Sequence, residues 1–351
     1  MKKVNIAIIG CGTISKTHLP VLKRNDRINI KYVIDVVEQR AVDAKNQFGA
    51  EFSGTDYKVA LNDNSVDAVF VLTPNYLHYT ITMDALNAGK HVFCEKPITV
   101  NYALSKEMYE LAEKKNLILN IGVVNRYKTS VNIIKKMYEE GKLGEVYHVY
   151  CSFRSFRSIP GLGGPFTTKE MAGGGVLIDW GVHFLDLIMY VLDAKATTVS
   201  AKGYNKLAKN MEDYLFHGNM WAGPPKYDGV NDVEEMISGF VRTDKASISF
   251  NGAWAQNINV PEMFIDFMGD KAGVRMMYNG TFTIYKTEDR MFETITPDFE
   301  TADMFYDEDD AFVDSILSGK KTRSNIEYVL PSAKLLDAIY QSSEEDKEIN
   351  L

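Results

Sequence analysis

A glycine run followed by an aspartate and a histidine marks one stretch of this chain where residue types and spacing suit acid–base chemistry. The three glycines, Gly173–Gly175, permit a sharp turn or the close approach of a ligand. The apolar periodicity after them predicts a helix, on which Asp179 and His183 share one face because they lie four residues apart. A carboxylate beside an imidazole can orient a general base. The alternative, which this stretch alone does not exclude, is a helix start with an aspartate near the positive end of the dipole and a histidine that only packs.

The composition argues against several classes of function. The chain has 351 residues, a net charge of -8 and no block of lysines and arginines, so neither nucleic acid nor an anionic membrane is an expected partner. Its three cysteines, Cys11, Cys94 and Cys151, are sparse and odd in number, which indicates a reducing, cytoplasmic setting. Their spacing fits no zinc site, and no metal is expected. No apolar run is long enough to cross a bilayer, and the run that ends at Gly10 is too short for a signal peptide.

The elements that position this chemistry begin with a glycine-rich turn near the N-terminus. Val4–Ile9 is short and apolar and predicts a buried strand, and a helix is predicted from Ser15 to Arg24. Between them lies a G-x-G-x-x-S sequence, in which the first glycine makes a tight turn and the second admits a pyrophosphate. Ser15 takes the third position, where glycine or alanine is usual and only a small residue is needed. The residues predicted to hold a dinucleotide at this helix start are Gly10, Gly12, Thr13 and Ile14.

An aspartate at the end of the next strand predicts the choice of cofactor. Asp35 follows the predicted strand Ile28–Ile34, about where an acidic residue accepts hydrogen bonds from the adenosine ribose. A carboxylate there repels a 2′-phosphate, and Arg40 is the only nearby cation that favours one. The sequence therefore predicts NAD rather than NADP. The alternative is that Asp35 is only a turn residue at a strand end.

Strands and helices continue to alternate up to about residue 123, which predicts a doubly wound parallel sheet of the Rossmann type over residues 1–123. Further strands are predicted over 68–72, 91–94 and 118–123. Ligands bind such sheets at the carboxyl ends of the strands. The residues at those ends are Thr73, Pro74, Asn75, Glu95 and Lys96.

Residues 124–351 predict a second, α+β domain with a large, mainly antiparallel open sheet. Strands without intervening helices are predicted over 146–153, 236–241, 246–253, 263–268, 273–277 and 282–286. Helices are predicted over 305–317 and 327–342, and the acidic Tyr306–Asp310 segment predicts a solvated helix start. An open sheet face carrying apolar side chains predicts a homodimer or homotetramer. Those side chains are Met263, Phe264, Ile265, Phe267 and Met268.

In their order and spacing, several short motifs resemble those of the Gfo/Idh/MocA family of NAD(P)-dependent oxidoreductases. The resemblance covers nearly the whole chain, and Ser15 is its one mild departure. The motifs are Gly10–Ser15, Asp35, Thr73-Pro74-Asn75 with His78, Glu95-Lys96-Pro97, Asn125-Arg126-Tyr127 and Gly173–Asp186.

The resemblance implies that Lys96, Asp179 and His183 are the catalytic residues of a hydride transfer between a nicotinamide cofactor and a sugar or polyol. His183 would accept the hydroxyl proton, since an imidazole titrates near neutral pH. Lys96 would hydrogen-bond the reacting oxygen, and Asp179 would orient the pair or bind the substrate. Lys96 is an alternative proton acceptor, because a buried lysine can lose its charge. This chemistry requires the side chains of Lys96 and His183 to converge.

The resemblance assigns further residues to the cofactor, each with an alternative. Glu95 binds the nicotinamide ribose or forms an ordinary ion pair with a lysine. Arg126 contacts the cofactor or lies solvated at a helix start. His78 is expected near the edge of the cofactor, although a histidine outside the motif core is more often structural.

The substrate side is less determined by sequence. The segment from Arg157 to Gly161 is similar to family members that act on monosaccharides, anhydrosugars or inositols. Arg157, Arg154 and Lys169 either bind substrate groups or face water. The segment 205–231, with Trp221, is a lid, an oligomer contact or a surface loop. A dinucleotide-binding sensor and a lyase or glycosidase that uses NAD transiently are the alternative functions.

Overall fold

In the computed structural model, which describes residues 3–218, 220 and 222–351, the chain divides into two units. The first unit comprises Met1–Tyr127 and Asp303–Leu330, and the second comprises Lys128–Ala302 and Pro331–Leu351. Residues 303–330 belong to the first unit, although the predicted division at residue 123 placed them in the second domain.

The first unit contains a six-stranded parallel sheet with the strand order β3-β2-β1-β4-β5-β6. This is the doubly wound Rossmann order, as predicted. The strands are apolar because both faces of the sheet are covered, and all four residues of Ala68–Val71 are fully buried. The strands are β1 Val4–Ile9, β2 Ile28–Ile34, β3 Phe52–Gly54, β4 Ala68–Val71, β5 His91–Glu95 and β6 Leu119–Gly122. The helices are α1 Ser15–Arg24, α2 Glu38–Phe48, α3 Lys58–Leu61, α4 Asn75–Asn87 and α5 Tyr102–Lys115.

The second unit contains a nine-stranded sheet with the order β14-β13-β12-β11-β7-β10-β9-β8-β15. Its strands pair antiparallel except β7 and β10, which are parallel, so the sheet is mainly antiparallel as predicted. The strands are β7 Val146–Arg154, β8 Ala196–Tyr204, β9 Met236–Thr243, β10 Ser247–Ala253, β11 Glu262–Gly269, β12 Ala272–Met277, β13 Phe282–Glu288, β14 Met291–Ile295 and β15 Ile349–Asn350. The helices are α6 Thr129–Glu139, α7 Lys169–Ala172 and α8 Val182–Leu192.

One face of this sheet and α8 form the core of the second unit. Ile265 and Phe267 point into that core and are almost fully buried, together with Leu185 and Ile188 of α8. Side chains alternate along a strand, so Phe264 and Met268 lie on the opposite face. Met263, on the same face as Ile265, is partly buried and packs against this core. The prediction that all five of these apolar residues lie on the open face was therefore wrong for Met263, Ile265 and Phe267.

Two C-terminal helices complete the fold: α9 Met304–Ser318 and α10 Ile326–Glu345. Phe312 and Val313 of α9 are fully buried in the core of the first unit. The predicted solvated helix start was wrong, because Glu308 and Asp309 are also buried there. The apolar pattern of the sequence predicts the α9 helix. It does not indicate that this helix packs against the sheet of the first unit.

A helical stretch from Lys169 to Leu192 is long and apolar enough to cross a bilayer, which the sequence analysis did not foresee. Of its most apolar window, 78% is buried inside the protein. Such burial is expected of the core helix of a folded domain.

Candidate active site

The glycine-rich turn after β1 is shaped by its two glycines in different ways. Gly10 has a φ of +102°, and a β-carbon there would lie 2.4 Å from the carbonyl oxygen of Leu72. A β-carbon at Gly12 would meet no atom within 4 Å, so the turn leaves open space beside its backbone. Ser15, which is buried, donates from Oγ to the carbonyl oxygen of Gly12 at 2.8 Å and closes the turn. The first turn of α1 carries no acidic side chain, so an anion can approach it.

Asp35 lies directly after β2 and holds two backbone amides. Its Oδ2 accepts from the Cys11 N–H at 2.9 Å and its Oδ1 from the Val37 N–H at 2.8 Å. A carboxylate oxygen has two lone pairs, so both can still accept from ribose hydroxyls. Arg40 Nη1 lies 3.9 Å from Oδ1, and the Arg40 side chain is 58% exposed. The turn role and the ribose role are therefore compatible, and Arg40 lies where a 2′-phosphate would need a cation.

His78 joins the loop after β4 to the turn after β5. Its Nδ1 lies 2.7 Å from the carbonyl oxygen of Pro97, and its Nε2 lies 2.9 Å from that of Thr73. Carbonyl oxygens only accept, so both ring nitrogens must carry protons. Burial lowers the pKa of His78, but the Cys94 thiol and the two carbonyls outweigh it and raise the pKa to about 9. His78 is fully buried and positions these two segments. Its place near the edge of the cofactor stays a prediction.

The loop that His78 holds leads from β4 into α4 at the carboxyl edge of the sheet. Pro74 lies at the start of α4, and Asn75 is its first residue. The structure therefore brings the predicted residues Thr73, Pro74 and Asn75 to the same edge as the glycine turn. A cofactor contact at these three residues stays a prediction.

The Glu95-Lys96-Pro97 motif follows β5 at the same edge of the sheet, and the Lys96–Pro97 peptide bond is cis. Glu95 is buried, and its Oε2 accepts from the backbone N–H of Lys96 at 2.9 Å. Its Oε1 lies 3.0 Å from His18 Nε2. The sequence analysis missed His18 as a partner of Glu95, because the two residues lie far apart in the chain.

Arg126 is buried rather than solvated, so that alternative was wrong. Only 2% of it is exposed, and its guanidinium donates to the carbonyl oxygens of Arg323 at 2.7 Å and Tyr328 at 3.0 Å. It ties the first turn of α10 and the segment before it to the residues after β6. A contact of Arg126 with cofactor or substrate stays a prediction.

In the second unit, Asp179 and His183 belong to different kinds of helical turn. Asp179 lies in a single π-helical turn, Leu177–Gly181, and His183 in the first turn of α8. A π-turn is wider than an α-helical turn, so the predicted uniform helix with an i, i+4 pair was wrong in this detail; π-turns often occur at functional sites. The His183 ring lies 6.3 Å from the ring of Tyr278, centroid to centroid.

The glycines before this turn are required by close contacts. A β-carbon at Gly175 would lie 1.9 Å from the backbone oxygen of Glu234, and one at Gly174 would lie 2.0 Å from the hydroxyl of Tyr340. The Glu234 carboxylate accepts from the N–H groups of Gly175 and Leu177, each at 2.9 Å, and from the Tyr340 hydroxyl at 3.0 Å. Glu234 therefore fixes the start of the turn that carries Asp179.

The cations predicted to face substrate or water have specific partners. Arg154 pairs with Glu262, and Lys169 pairs with Glu344. Arg157 donates to Asn257.

The 205–231 segment lies beside Arg157, whose guanidinium carbon is 5.7 Å from the ring centroid of Tyr214 in that segment. That segment is anchored by the hydrogen bond from the Lys226 N–H to the Leu162 oxygen at 2.7 Å, among others. Trp221, its predicted aromatic contact, lies outside the described residues.

Comparison with known proteins gives the family context of these residues. Residues 4–123 match the oxidoreductase family with an NAD-binding Rossmann fold, and residues 131–275 match the GFO/IDH/MocA C-terminal domain. The chain is 28% identical to D-glucoside 3-dehydrogenase of Escherichia coli over 99% of its own length and 97% of the relative's. It is 30% identical to the putative UDP-kanosamine synthase oxidoreductase subunit of Amycolatopsis mediterranei, over 72% of this chain and 69% of that protein.

The fold is also that of a solved sugar oxidoreductase. The structure of levoglucosan dehydrogenase in complex with NADH and levoglucosan superposes with a TM-score of 0.86 at 21% identity, covering 99% of each chain. At this identity the likeness concerns the fold alone, and the chemistry must be argued from the site.

Proposed function

The chain belongs to the Gfo/Idh/MocA oxidoreductase family, and we propose that it transfers a hydride between NAD(H) and a hydroxyl or carbonyl carbon of a sugar or polyol. The observation that carries the proposal is the likeness to D-glucoside 3-dehydrogenase over nearly the full length of both chains. The chain also carries Lys96, Asp179 and His183, which a sensor without catalysis would not need. Monosaccharides, their glycosides, anhydrosugars and inositols are the substrate classes proposed.

The residues of the first unit suit an NAD molecule in both shape and charge. The open space at Gly12 admits a pyrophosphate, the start of α1 supplies N–H groups, and Asp35 accepts from the ribose hydroxyls. NAD, when bound, accepts or supplies the hydride at its nicotinamide ring.

The protein's own part in the reaction is to move a proton and stabilise an oxygen. His183 takes the proton of the substrate hydroxyl, and Lys96 donates a hydrogen bond to the same oxygen as negative charge develops on it. Asp179 orients the histidine or binds a neighbouring hydroxyl. Arg157, whose guanidinium carbon lies near the rings of Phe156 and Tyr214, binds the far side of the substrate.

A substrate screen with NAD and NADP tests this function. Reduction of the cofactor is followed by absorbance with glucosides, free monosaccharides, levoglucosan and inositols, in the wild-type protein and in Lys96→Ala and His183→Ala. We expect turnover with at least one of these substrates, and a loss of roughly 100- to 10,000-fold in kcat in each variant, as removal of a general acid or base produces. Binding of NADH, measured by fluorescence titration, should persist in both variants.

Lys106→Ala is the matched control, because Lys106 is an exposed lysine of α5 paired with Glu110. It should retain wild-type turnover. Wild-type protein that binds NADH but reduces no cofactor with any sugar would favour the sensor. Conversion of a glycoside without net release of NADH would favour the lyase or glycosidase.

We also propose that the enzyme is cytoplasmic and assembles as a homodimer or homotetramer through the open face of its nine-stranded sheet. The low cysteine content and three buried, free thiols support a reducing compartment. Aromatic side chains on the open sheet face, Tyr150 and Phe240 among them, support the assembly.

A further inference from the structure

A buried chain of three ionisable side chains lies behind the lysine of the Glu95-Lys96-Pro97 motif. His18 of α1 is fully buried and lies between two carboxylates. Its Nε2 is 3.0 Å from Glu95 Oε1, and its Nδ1 is 3.0 and 3.1 Å from the two carboxylate oxygens of Asp309 in α9. Glu95 in turn accepts the backbone N–H of Lys96 at 2.9 Å. A continuous path of hydrogen bonds therefore runs from α9 through α1 to the backbone of Lys96.

The charges in this path make it rigid. Burial lowers the pKa of His18, but the charges and hydrogen bonds of Asp309 and Glu95 outweigh it, so the pKa lies well above the usual range. The imidazolium then donates from both nitrogens, and each bond is charge-assisted and stronger than a neutral one. Edge-on contacts from Phe93 and Phe305, at 5.3 and 5.5 Å between ring centroids, fix the ring plane.

The Glu95 carboxylate lies against the neighbouring strand at a glycine. Gly122 of β6 is its partner on the neighbouring strand, and a β-carbon at Gly122 would lie 2.7 Å from Glu95 Oε1. The glycine opens the space that the carboxylate occupies. Glu95 is thus confined between β6, His18 and the amide of Lys96.

We propose that His18 and Asp309 are positioning residues for Lys96, acting through Glu95 to fix the backbone from which the lysine side chain extends. The inference rests on the proposed function for the role given to the Lys96 ammonium. A misplacement of about 1 Å at a catalytic group can reduce a rate by roughly 100-fold, so a rigid support of this kind affects turnover directly.

The matched control lies next to Asp309 in the same helix. Glu308 is equally buried, but neither of its carboxyl oxygens has a hydrogen-bond partner among the described residues. Burial and the neighbouring Glu95 hold the pKa of Glu308 well above its usual range, which favours the neutral form of the group. Glu308→Gln is therefore nearly isosteric and leaves the path to Lys96 intact.

The test compares Asp309→Asn and His18→Gln with Glu308→Gln and the wild-type protein by two measurements. The first is amide hydrogen exchange at Lys96, read by mass spectrometry on overlapping peptides, with and without NADH. The second is the set of kcat, substrate KM and NADH dissociation constant. We expect Lys96 exchange to become at least about tenfold faster and kcat at least about tenfold lower in both path variants, with KM and NADH binding within about threefold of wild type. Glu308→Gln should match wild type in both measurements.

Melting temperatures separate positioning from general damage, because a purely structural role would lower stability without a selective loss of kcat. Asp309→Asn is the milder change and decides the matter if His18→Gln does not fold. Wild-type exchange at Lys96, or wild-type kcat, in Asp309→Asn overturns the inference. If the unsubstituted protein transfers no hydride to any sugar, the proposed function fails, and exchange at Lys96 alone then decides the positioning role.

Discussion

At the scale of the residue, the protonation of His78 couples the stability of the first unit to pH. Its pKa is raised from an unfolded value of 6.5 to about 9, so the folded state holds the proton more tightly. Such a group contributes stability fully below about pH 6.5 and loses that contribution as pH rises through about 9. At about 1.4 kcal/mol for each pKa unit, the full contribution is roughly 3.5 kcal/mol, of which roughly 3 kcal/mol is lost between pH 6 and pH 9. We expect the difference in unfolding free energy between wild type and His78→Gln to shrink by about this amount from pH 6 to pH 9.

Urea denaturation at several pH values measures this difference. Lys128 also titrates in this range, since burial lowers its pKa to about 8, and its effect has the opposite sign. Both proteins contain Lys128, so its effect cancels in the comparison. A difference between the two proteins that is constant from pH 6 to pH 9 would show that His78 is not charged in the folded state.

The prediction that the protein uses NAD rather than NADP depends on Asp35. Asp35→Ser removes a charged acceptor of ribose hydrogen bonds worth about 1.5–3 kcal/mol, which predicts a roughly 10- to 100-fold rise in the KM for NAD. Arg40, whose side chain is exposed, is then free to pair with a 2′-phosphate, so the use of NADP should improve. The kcat/KM values for both cofactors measure the change. Asp43→Ser in α2 is the control with the same loss of charge, and an unchanged cofactor ratio in Asp35→Ser would contradict the assignment.

The site residues that could be predicted from the sequence have a local signal in the chain, and those that were missed do not. Asp35 and Thr73 follow apolar runs directly, and Lys96 follows one after a single residue; the ends of parallel strands are where ligand-binding residues collect. His18 and Glu234 have no such local signal. Their nearest hydrogen-bonding partners in the chain are 77 and 57 residues away, and only the folded packing brings them together.

At the scale of the element, Glu234 determines the turn that carries Asp179. Its half-buried side chain accepts from two backbone N–H groups and one hydroxyl. In Glu234→Gln one acceptor oxygen becomes a donor that faces an N–H group, which predicts a loss of about 1–3 kcal/mol in unfolding free energy. Because the turn is displaced, kcat should fall roughly tenfold or more as well.

The neighbouring residue provides the control for this prediction. Glu235 is buried, and it accepts from the backbone N–H groups of Lys206, Leu207 and Ala208 instead. Glu235→Gln should lose similar stability, measured by thermal unfolding, while kcat stays near the wild-type value. A wild-type kcat in Glu234→Gln would mean that the π-turn does not depend on this carboxylate.

Apolar periodicity predicted most elements closely, because it reflects the same burial that forms them. The helix predicted from about Ser15 to Arg24 was confirmed at both ends. The strands β8 and β14 were missed, since β8 is rich in small and polar residues and β14 is largely exposed, with Phe292 94% accessible. The π-turn was missed because nothing in its apolar pattern distinguishes it from an α-helix.

At the scale of the whole molecule, the open face of the nine-stranded sheet combines aromatic and charged side chains. The guanidinium carbon of Arg242 lies 5.2 Å from the ring centroid of Phe240. The guanidinium carbon of Arg275 lies 4.3 Å from the ring centroid of Phe264. Tyr150 packs edge-on against Phe264 at 5.6 Å. Aromatic residues and arginine are enriched at the centres of protein interfaces, so this face has the composition of a subunit contact.

Phe240→Asp tests that contact directly. A carboxylate placed opposite its own copy in a symmetric interface brings like charges together and removes an aromatic anchor, so the oligomer should dissociate. Light scattering coupled to gel filtration should give a dimer or tetramer of 39.6 kDa chains for the wild type and a monomer for the variant. Phe52→Asp introduces the same change at a half-exposed aromatic residue of β3 in the first unit and should leave the mass unchanged. A monomeric wild-type protein, or an unchanged mass in Phe240→Asp, would assign this face to something other than subunit assembly.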